Sequence, residues 1–321
     1  MSDIVEKCRV CRALLDEEDL FCANCGKSTP DDRSQKQYGT VVLTHHFECR
    51  SCGASMSYDA QTQNLRCPYC GSQRLDPKQD AQVWAPEKVI PFRLNRDQAL
   101  QSLRNWLSQG MWRPGDLARR AAVSQMTPVY VPYWLFSATT HTFWNADVPA
   151  PPGARGQWQP ASGEHRGDYA GLLVGASATL TAAETEQICP FDVSEGRPWT
   201  TEELEQVIVE SGSVPRKFAR PLARRGFEAN EREAIVLESL GGSHRNLKAN
   251  VRIENLVSEP ILLPVWVMVY RYGKRSFRFL INGQTGKATG EAPLSPWKVT
   301  GAVLLVILIV FILVMLAAAN H

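Results

Sequence analysis

The sequence has almost no surplus of charge of either sign. Its 321 residues carry 35 Lys and Arg against 33 Asp and Glu, which gives a formal net charge of +2. Nucleic-acid-binding proteins usually carry a basic excess, because they attach to phosphates through clustered cations. Residues 1–78, which hold most of the cysteines, contain ten basic and eleven acidic residues. Binding of DNA or RNA by this part of the chain is therefore kept only as the alternative to binding of proteins.

Recognisable catalytic motifs are also missing. The sequence contains no G-x-G-x-x-G, no phosphate-binding loop and no H-E-x-x-H, and the Gly-Ala-Ser-Ala-Thr of Gly175–Thr179 lacks the final glycine of a nucleophile elbow. We therefore expect no enzyme and assign no catalytic residue. Because catalytic residues can converge from distant positions, an enzyme within residues 84–296 stays open as a third interpretation, which a deep pocket with converging titratable groups would favour.

Cysteine is scarce outside the first quarter of the chain, where eight of the nine residues lie. These eight form four Cys-x2-Cys pairs: Cys8, Cys11, Cys22, Cys25, Cys49, Cys52, Cys67 and Cys70. Two such pairs supply four thiolates, which is the tetrahedral ligand set that zinc prefers at structural sites. The spacing therefore predicts two zinc ribbons that hold two structural zinc ions. The alternative of redox-active or disulfide pairs is disfavoured in a reducing cytoplasm.

Glycine follows the second cysteine in three of the four pairs, at Gly26, Gly53 and Gly71. Glycine permits a positive φ, at which backbone amides can point toward the sulfurs, and Arg12 departs from this pattern in the first pair. The ninth cysteine, Cys189, has no activating neighbour in the sequence, and we expect it to be a buried structural thiol.

Long apolar runs are missing until Val299–Ala319, which contains no charged residue. At about 1.5 Å per residue a helix of this length extends roughly 30 Å, the thickness of a bilayer core. The prediction is a single-pass C-terminal anchor, with a buried core helix as the alternative. Met1–Lys7 shows no apolar core of a signal peptide, and Lys287 and Lys298 precede the run. We therefore expect the bulk of the protein on the cytoplasmic face of the inner membrane, with the lipid bilayer as a partner.

Residues between the cysteines and the apolar run predict an α+β domain with an antiparallel sheet. Asn95 with Gln98 forms a capping box that opens a helix, and Phe227–Leu240 is a further helical segment. Residues Leu247–Ile253 alternate between apolar and polar, as half-buried strands do, and Asn282 followed by glycine is a hairpin turn signal.

Three other segments between residues 84 and 296 carry weaker signals. A second capping box at Thr200 predicts a helix that includes Ile208, and the proline- and glycine-rich Pro149–Asp168 predicts an exposed loop. A basic cluster lies in the next helical segment and either faces solvent or contacts anionic headgroups; it comprises Arg216, Lys217, Arg220, Arg224 and Arg225.

The composition changes along the chain divide it into six parts. They are zinc ribbon 1 (1–28), a linker (29–43), zinc ribbon 2 (44–76), a linker (77–83), the α+β domain (84–296) and the transmembrane tail anchor (297–321).

Six short segments, two of which contain a Cys-x2-Cys pair, carry a family resemblance. They are Phe47–Ala54, Leu65–Ser72, Val89–Phe92, Val129–Phe136, Leu263–Trp266 and Ile281–Lys287. The Tyr-Val-Pro-Tyr-Trp of Tyr130–Trp134 and the Asn-Gly-Gln-Thr-Gly-Lys of Asn282–Lys287 are the most distinctive. With these segments the chain resembles bacterial membrane-anchored proteins that are labelled TFIIB-type zinc-ribbon-containing or primosomal-helicase-like.

That resemblance implies a non-catalytic scaffold rather than a helicase, since the chain has no ATP-binding loop. It also implies partners among membrane-associated proteins of envelope stress, similar to phage-shock protein A or to SPFH proteins. The leading hypothesis is therefore a tail-anchored zinc-ribbon adaptor that binds such proteins, and the rival is a membrane-tethered nucleic-acid-binding protein.

Overall fold

The computed structural model describes residues 6–8, 10, 12, 14–15, 40–43, 46–58, 65–78, 81–84, 86–153, 156–177, 179–200, 207–212 and 214–319. The strands in chain order are β1 (Glu6–Lys7), β2 (Leu14–Leu15), β3 (Thr40–Leu43), β4 (His46–Cys49), β5 (Ser55–Ser57), β6 (Leu75–Pro77), β7 (Ala81–Trp84), β8 (Lys88–Val89), β9 (Ala122–Pro149), β10 (Trp158–Gly175), β11 (Ile208–Glu210), β12 (Arg245–Tyr272), β13 (Arg275–Asn282) and β14 (Ala288–Gly290). The α-helices are α1 (Arg96–Ser108), α2 (Leu117–Arg120), α3 (Ala182–Gln187), α4 (Arg216–Ala234) and α5 (Pro296–Ala319).

Two long strands, β9 and β12, form the centre of a 10-stranded sheet and pair antiparallel along nearly their whole length. At one end of this pair, β10 lies next to β9 and pairs with it from Trp158↔Pro149 to Gly175↔Tyr133. At the other end, β13 pairs with β12 and β14 follows β13 at the edge of the sheet. On the opposite side, next to β9, the order is β11, β5, β4 and β6. The α+β class is therefore confirmed.

The predicted purely antiparallel sheet is wrong, because two short strands run parallel to their neighbours. Residue Ile208 of β11 lies beside Val129 of β9, and Ile261 of β12 lies beside Lys88 of β8. Parallel neighbours need a crossover connection, and here the chain passes through β10 and α3 before it reaches β11. The predicted helix that included Ile208 is also wrong, because this residue belongs to strand β11 of the sheet. Residues 201–206 lie outside the described residues.

Helix α1 covers one face of the sheet near β13. The capping box at Asn95 and Gln98 forms as predicted, with the Asn95 side chain accepting from the Gln98 amide. The apolar side of the helix then buries Leu103 and Leu107 against Trp266 and Phe279 of the sheet. Burial of this apolar surface, at about 25 cal/mol per Å², is what fixes the helix to the sheet.

Helix α4 covers the part of the sheet formed by β9, β10 and β12. It continues as a π-helix over Ile235–Leu240 and ends at Gly241, whose φ of +57° terminates it. The end that was predicted for Phe227–Leu240 is therefore confirmed, although the helix begins earlier, at Arg216. The segment Pro149–Asp168 is not a loop as predicted, because most of it forms β10 and is hydrogen-bonded to β9.

The described residues contain no helix that is both long enough and apolar enough to cross a membrane. The side chains of α5 from Val303 to Ile312 are exposed. The expected transmembrane anchor over Val299–Ala319, and the inner-membrane localisation inferred from it, are corrected accordingly.

Candidate metal centre

Four of the predicted cysteine ligands meet at one place. The Sγ atoms of Cys49, Cys52, Cys67 and Cys70 all lie within 4.8 Å of one another. The Cys49–Cys70 separation is 3.6 Å and the Cys52–Cys67 separation is 3.5 Å. Sulfurs bound to zinc at about 2.3 Å in a tetrahedron are about 3.8 Å apart, so the spacing fits this metal. The cluster could hold a single zinc ion.

Two backbone turns of the same shape present these sulfurs. The amide of Gly53 donates to the carbonyl of Cys49, and the amide of Gly71 donates to the carbonyl of Cys67, each at 2.8 Å. Both glycines have a positive φ, +74° for Gly53 and +73° for Gly71. A side chain at this φ would be strained, which is the reason that glycine follows the second cysteine of each pair.

The thiol chemistry of the cluster also favours a cation. The hydrogen bond from Cys67 lowers the pKa of Cys52 to about 5, whereas burial raises the pKa of Cys70 to about 11. The hydrogen bond to Cys52 and burial together raise the pKa of Cys67 as well. Four thiolates this close together repel one another, and a divalent cation that binds all four offsets the repulsion.

The first predicted ribbon is described only in part. At its first pair the amide of Arg12 donates to the carbonyl of Cys8 at 2.9 Å, and Arg12 has a φ of +57°. The turn therefore has the same hydrogen bond and the same left-handed residue as the two turns above, with arginine in the place of glycine. Cys11, Cys22 and Cys25 lie outside the described residues, so the second predicted zinc ion stays a prediction.

The second ribbon is joined to the sheet through a buried carboxylate. Tyr69, between Cys67 and Cys70, donates its hydroxyl hydrogen to Oε2 of Glu210 at 2.6 Å. On the other oxygen of Glu210, Ser177 Oγ donates at 2.6 Å and the Thr179 amide at 3.2 Å. Burial raises the pKa of Glu210 and outweighs these hydrogen bonds, which lower it.

The same ribbon shares strands and core with the sheet. Strand β5 pairs with β4 on one side and with β11 on the other, so the backbone ladder continues from the cysteine turns into β9. Met56 and Tyr58 of the ribbon pack in one buried cluster with Val129 and Val131 of β9. His46, beside the first cysteine of this ribbon, hydrogen-bonds to Ser55 at 2.8 Å and is not part of the sulfur cluster.

A second buried carboxylate, Glu231 of α4, lies far from the cysteines. It accepts a hydrogen bond from Thr140 Oγ1 of β9 at 2.5 Å and lies 3.0 Å from Nδ1 of His165 in β10. Burial raises the pKa of Glu231, but the hydrogen bonds from Thr140, Tyr169 and His165 outweigh it and lower the pKa overall. Burial lowers the pKa of His165, but the contacts with Glu231 and Glu238 outweigh burial and raise this pKa overall.

Sequence patterns gave no sign of these two carboxylate clusters. Glu231 reads as part of the solvated acidic stretch that follows the basic cluster, yet its side chain is fully buried. Arg216 of the basic cluster is buried as well and donates to Ser258, while Arg224 lies 3.8 Å from Glu228 on the exposed side. Cys189 is half-buried, and burial raises the pKa of its thiol to about 11, as suits an unreactive cysteine.

Comparison with known proteins gives one distant relative. The chain is 25% identical over 311 aligned residues to the uncharacterized protein YdjG of Bacillus subtilis, and the alignment covers 79% of this chain and 91% of YdjG. No family model matches the sequence. No solved structure matches it either. The homology extends over most of both chains and assigns no function.

Proposed function

We propose that the protein is a non-catalytic zinc-ribbon adaptor that binds other proteins. The observation that carries the proposal is the complete set of four thiols at Cys49, Cys52, Cys67 and Cys70, in a ribbon whose strand is hydrogen-bonded into the main sheet. Four thiolates fill the coordination sphere of zinc and leave no position for a water molecule or a substrate. Such a metal stabilises a surface module, and surface modules of this kind serve in recognition.

The charges of the described ribbon favour a protein partner over a nucleic acid. Arg50 forms an ion pair with Asp76, and Lys78 forms one with Glu48 at 2.8 Å. These pairs neutralise two of the cations that would otherwise face phosphates. Because affinity for nucleic acid depends on the number of cations that replace counterions, the ribbon is a poor electrostatic surface for DNA or RNA.

The family resemblance supplies candidates for the partner. Proteins similar to phage-shock protein A or to SPFH proteins are the ones it implies, and envelope stress is the setting we propose. The relative YdjG adds no name of a partner, since it is uncharacterized itself.

Affinity purification of the tagged full-length protein from its native host, followed by mass spectrometry, tests the adaptor function. We expect a specific partner to be enriched over a tag-only control, and purified partner to bind the zinc-loaded protein more tightly than the chelator-treated protein. Recovery of the protein alone, together with no binding to purified phage-shock-protein-A-like or SPFH-like proteins of the same host, would rule the adaptor out.

Nucleic-acid binding is tested separately with labelled DNA and RNA at low ionic strength. The adaptor proposal expects no saturable change in fluorescence anisotropy. Tight binding that weakens steeply with added salt would instead establish the rival function.

A further inference from the structure

An open groove of about 830 Å³ runs along the outer edge of β10. Its floor is the strand itself from Tyr169 to Gly175, one wall is α4 with Leu222 and Arg225, and the other wall includes α3 and Phe191. In the described part of the chain β10 pairs with β9 alone. The groove therefore combines an unpaired strand edge with a helix on each side of it.

The backbone of this edge points its hydrogen-bonding groups into the groove. The amide of Ala176, just past the end of β10, donates to the carbonyl of Pro132 in β9 at 3.0 Å. Because successive residues of a strand direct these groups to opposite sides, Leu173 and Gly175 direct theirs away from β9. The register on β9 places Ala170 in the same orientation, beyond the bulge between Ala170 and Leu172.

Backbone amides and carbonyls need hydrogen-bond partners, and an unpaired strand edge that offers them is a template for an added strand. The residues that carry the edge are partly buried rather than freely solvated, apart from Ala170, whose side chain is exposed.

Both walls are held in place by hydrogen bonds from the segments that carry the family resemblance. The hydroxyl of Tyr133 donates to the carbonyl of Thr185 in α3, and Nε1 of Trp134 donates to the carbonyl of Val214 before α4. Nδ2 of Asn282 donates to the carbonyl of Pro190 at 2.8 Å. A groove that is built before its ligand arrives loses less entropy on binding.

We infer that this groove binds an extended peptide segment of a partner protein, which adds to the sheet as a strand antiparallel or parallel to β10. This inference rests on the proposed adaptor function and names the kind of partner it binds. A peptide fits better than a second copy of the chain, since a second copy would bring its own α3 and α4 against these walls. Strand addition of this kind draws its affinity from main-chain hydrogen bonds and its specificity from pockets for alternate side chains.

The walls define the side chains that such a peptide needs. On one face Leu222 and Arg225 of α4 line the groove, and no described carboxylate pairs with Arg225. On the other face the lining is mostly apolar, with Leu180, Cys189 and Phe191, and it also includes Glu186 of α3. We therefore expect apolar side chains toward α3 and an acidic side chain toward Arg225.

The experiment selects peptides from a phage-displayed library of random twelve-residue sequences on the immobilised full-length protein. The variant Ala170→Pro removes one outward amide without removing a hydrogen bond to β9, and it serves for counter-selection. The matched control is Ser162→Pro, on the same strand and with the same outward orientation but outside the groove; the native Pro160 already occupies such a position.

The best peptide is then measured by fluorescence anisotropy, with and without N-methyl groups on alternate amides. We expect Ala170→Pro and the methylated peptide to bind about tenfold more weakly or worse, and Ser162→Pro to bind like the wild type. For an acidic peptide, Arg225→Glu should also weaken binding about tenfold. Should circular dichroism show that Ala170→Pro is unfolded, Leu222→Asp on the exposed wall takes its place.

The inference would be overturned if the methylated peptide bound as tightly as the unmodified one, or if the groove variants bound the peptide as tightly as the wild type. A library that yields no binder, or a groove that takes up only small apolar dyes, would overturn it as well. The adaptor function and the groove fail separately. If partners co-purify equally with Ala170→Pro, the adaptor function stands and the groove is refuted. If a peptide binds the groove specifically but no partner co-purifies and the purified candidate proteins do not bind, peptide binding by the groove stands and the adaptor function is refuted.

Discussion

The junction between the cysteine ribbon and the sheet and the junction between α4 and the sheet each contain a buried glutamate, but the two glutamates have different surroundings. At the ribbon junction, Glu210 accepts hydrogen bonds from neutral donors, the hydroxyls of Tyr69 and Ser177 among them. At the helix junction, Glu231 has a neutral donor in Thr140 and also faces His165. The pKa of Glu210 is raised by burial, while the hydrogen bonds to Glu231 lower its pKa in spite of burial.

The two junctions therefore depend on different features of the structure. The ribbon junction needs the geometry of acceptors more than it needs a negative charge, and a zinc ion at the four cysteines would supply much of the ribbon's stability. The helix junction lies outside the cysteine cluster and depends on the charge of Glu231 itself.

Replacing a zinc ligand should have the largest effect. In Cys67→Ser we expect one zinc ion fewer per chain by elemental analysis, because a buried thiolate of the cluster is lost. Metal binding contributes on the order of 10 kcal/mol to isolated zinc-finger peptides, so a loss of at least about 3 kcal/mol in the free energy of unfolding is expected. The matched control is Cys189→Ser, outside the cluster, which should keep its zinc. An unchanged zinc content in Cys67→Ser would contradict the assignment of the site.

Neutralising the two glutamates should have the next largest effect on stability, and the effect should differ between the two junctions. Glu231→Gln removes the charge that faces His165 and should lower the free energy of unfolding by about 2 kcal/mol at neutral pH, as for other hydrogen bonds to charged groups. Glu210→Gln keeps one acceptor oxygen for Ser177 and the Thr179 amide, and its NH2 group can donate to the hydroxyl oxygen of Tyr69. Because the substitution also removes a desolvated charge, its effect should stay within about 1 kcal/mol. Denaturant titration of both variants measures the difference. Equal losses would show that the two junctions do not differ in this respect.

The pH dependence of stability should have opposite signs at the two glutamates. A raised pKa stabilises the fold fully below the unfolded value, 4.5, and this contribution is lost as the pH rises through the folded pKa of Glu210. A lowered pKa stabilises the fold above 4.5, and this contribution is lost as the pH falls through the folded pKa of Glu231. From neutral pH down to 4.5, the wild type should therefore gain stability relative to Glu210→Gln. Relative to Glu231→Gln, it should lose stability when the pH falls below 4.5. A wild-type curve parallel to both variants would refute these assignments.

How far the sequence predicts this molecule depends on the distance between interacting residues. The capping box of Asn95 and Gln98, the hairpin turn at Asn282 and the cysteine pairs of the second ribbon are all local patterns, and the structure forms each of them. The cysteine cluster could be predicted in detail because zinc restricts both the ligand type and the spacing.

The two glutamate junctions could not be predicted, because their partners are remote in sequence. Glu210 is 141 residues from Tyr69, and Glu231 is 66 residues from His165. Helical and strand periodicity report which side of an element is apolar, and they carry no information about which polar residue another element places opposite. For this reason the predicted loop over Pro149–Asp168 includes His165, and the predicted helix includes Ile208 of β11. Pairing with a distant strand overrides local preference at both places.

The smallest effect should come from a single hydroxyl group at the ribbon junction. Tyr69→Phe removes the donor to Oε2 of Glu210 and leaves the donors to Oε1, so we expect a loss of about 1 kcal/mol with zinc retained. Without that donor the pKa of Glu210 should be raised further, so the cost of the substitution should shrink as the pH falls and the carboxylate becomes protonated. Tyr58→Phe is the matched control, because its hydroxyl donates at 2.6 Å to the backbone carbonyl of Arg66, which does not titrate. Its loss should be similar at neutral pH and independent of pH, and a Tyr69→Phe loss that is equally independent of pH would mean that Glu210 is already protonated at neutral pH.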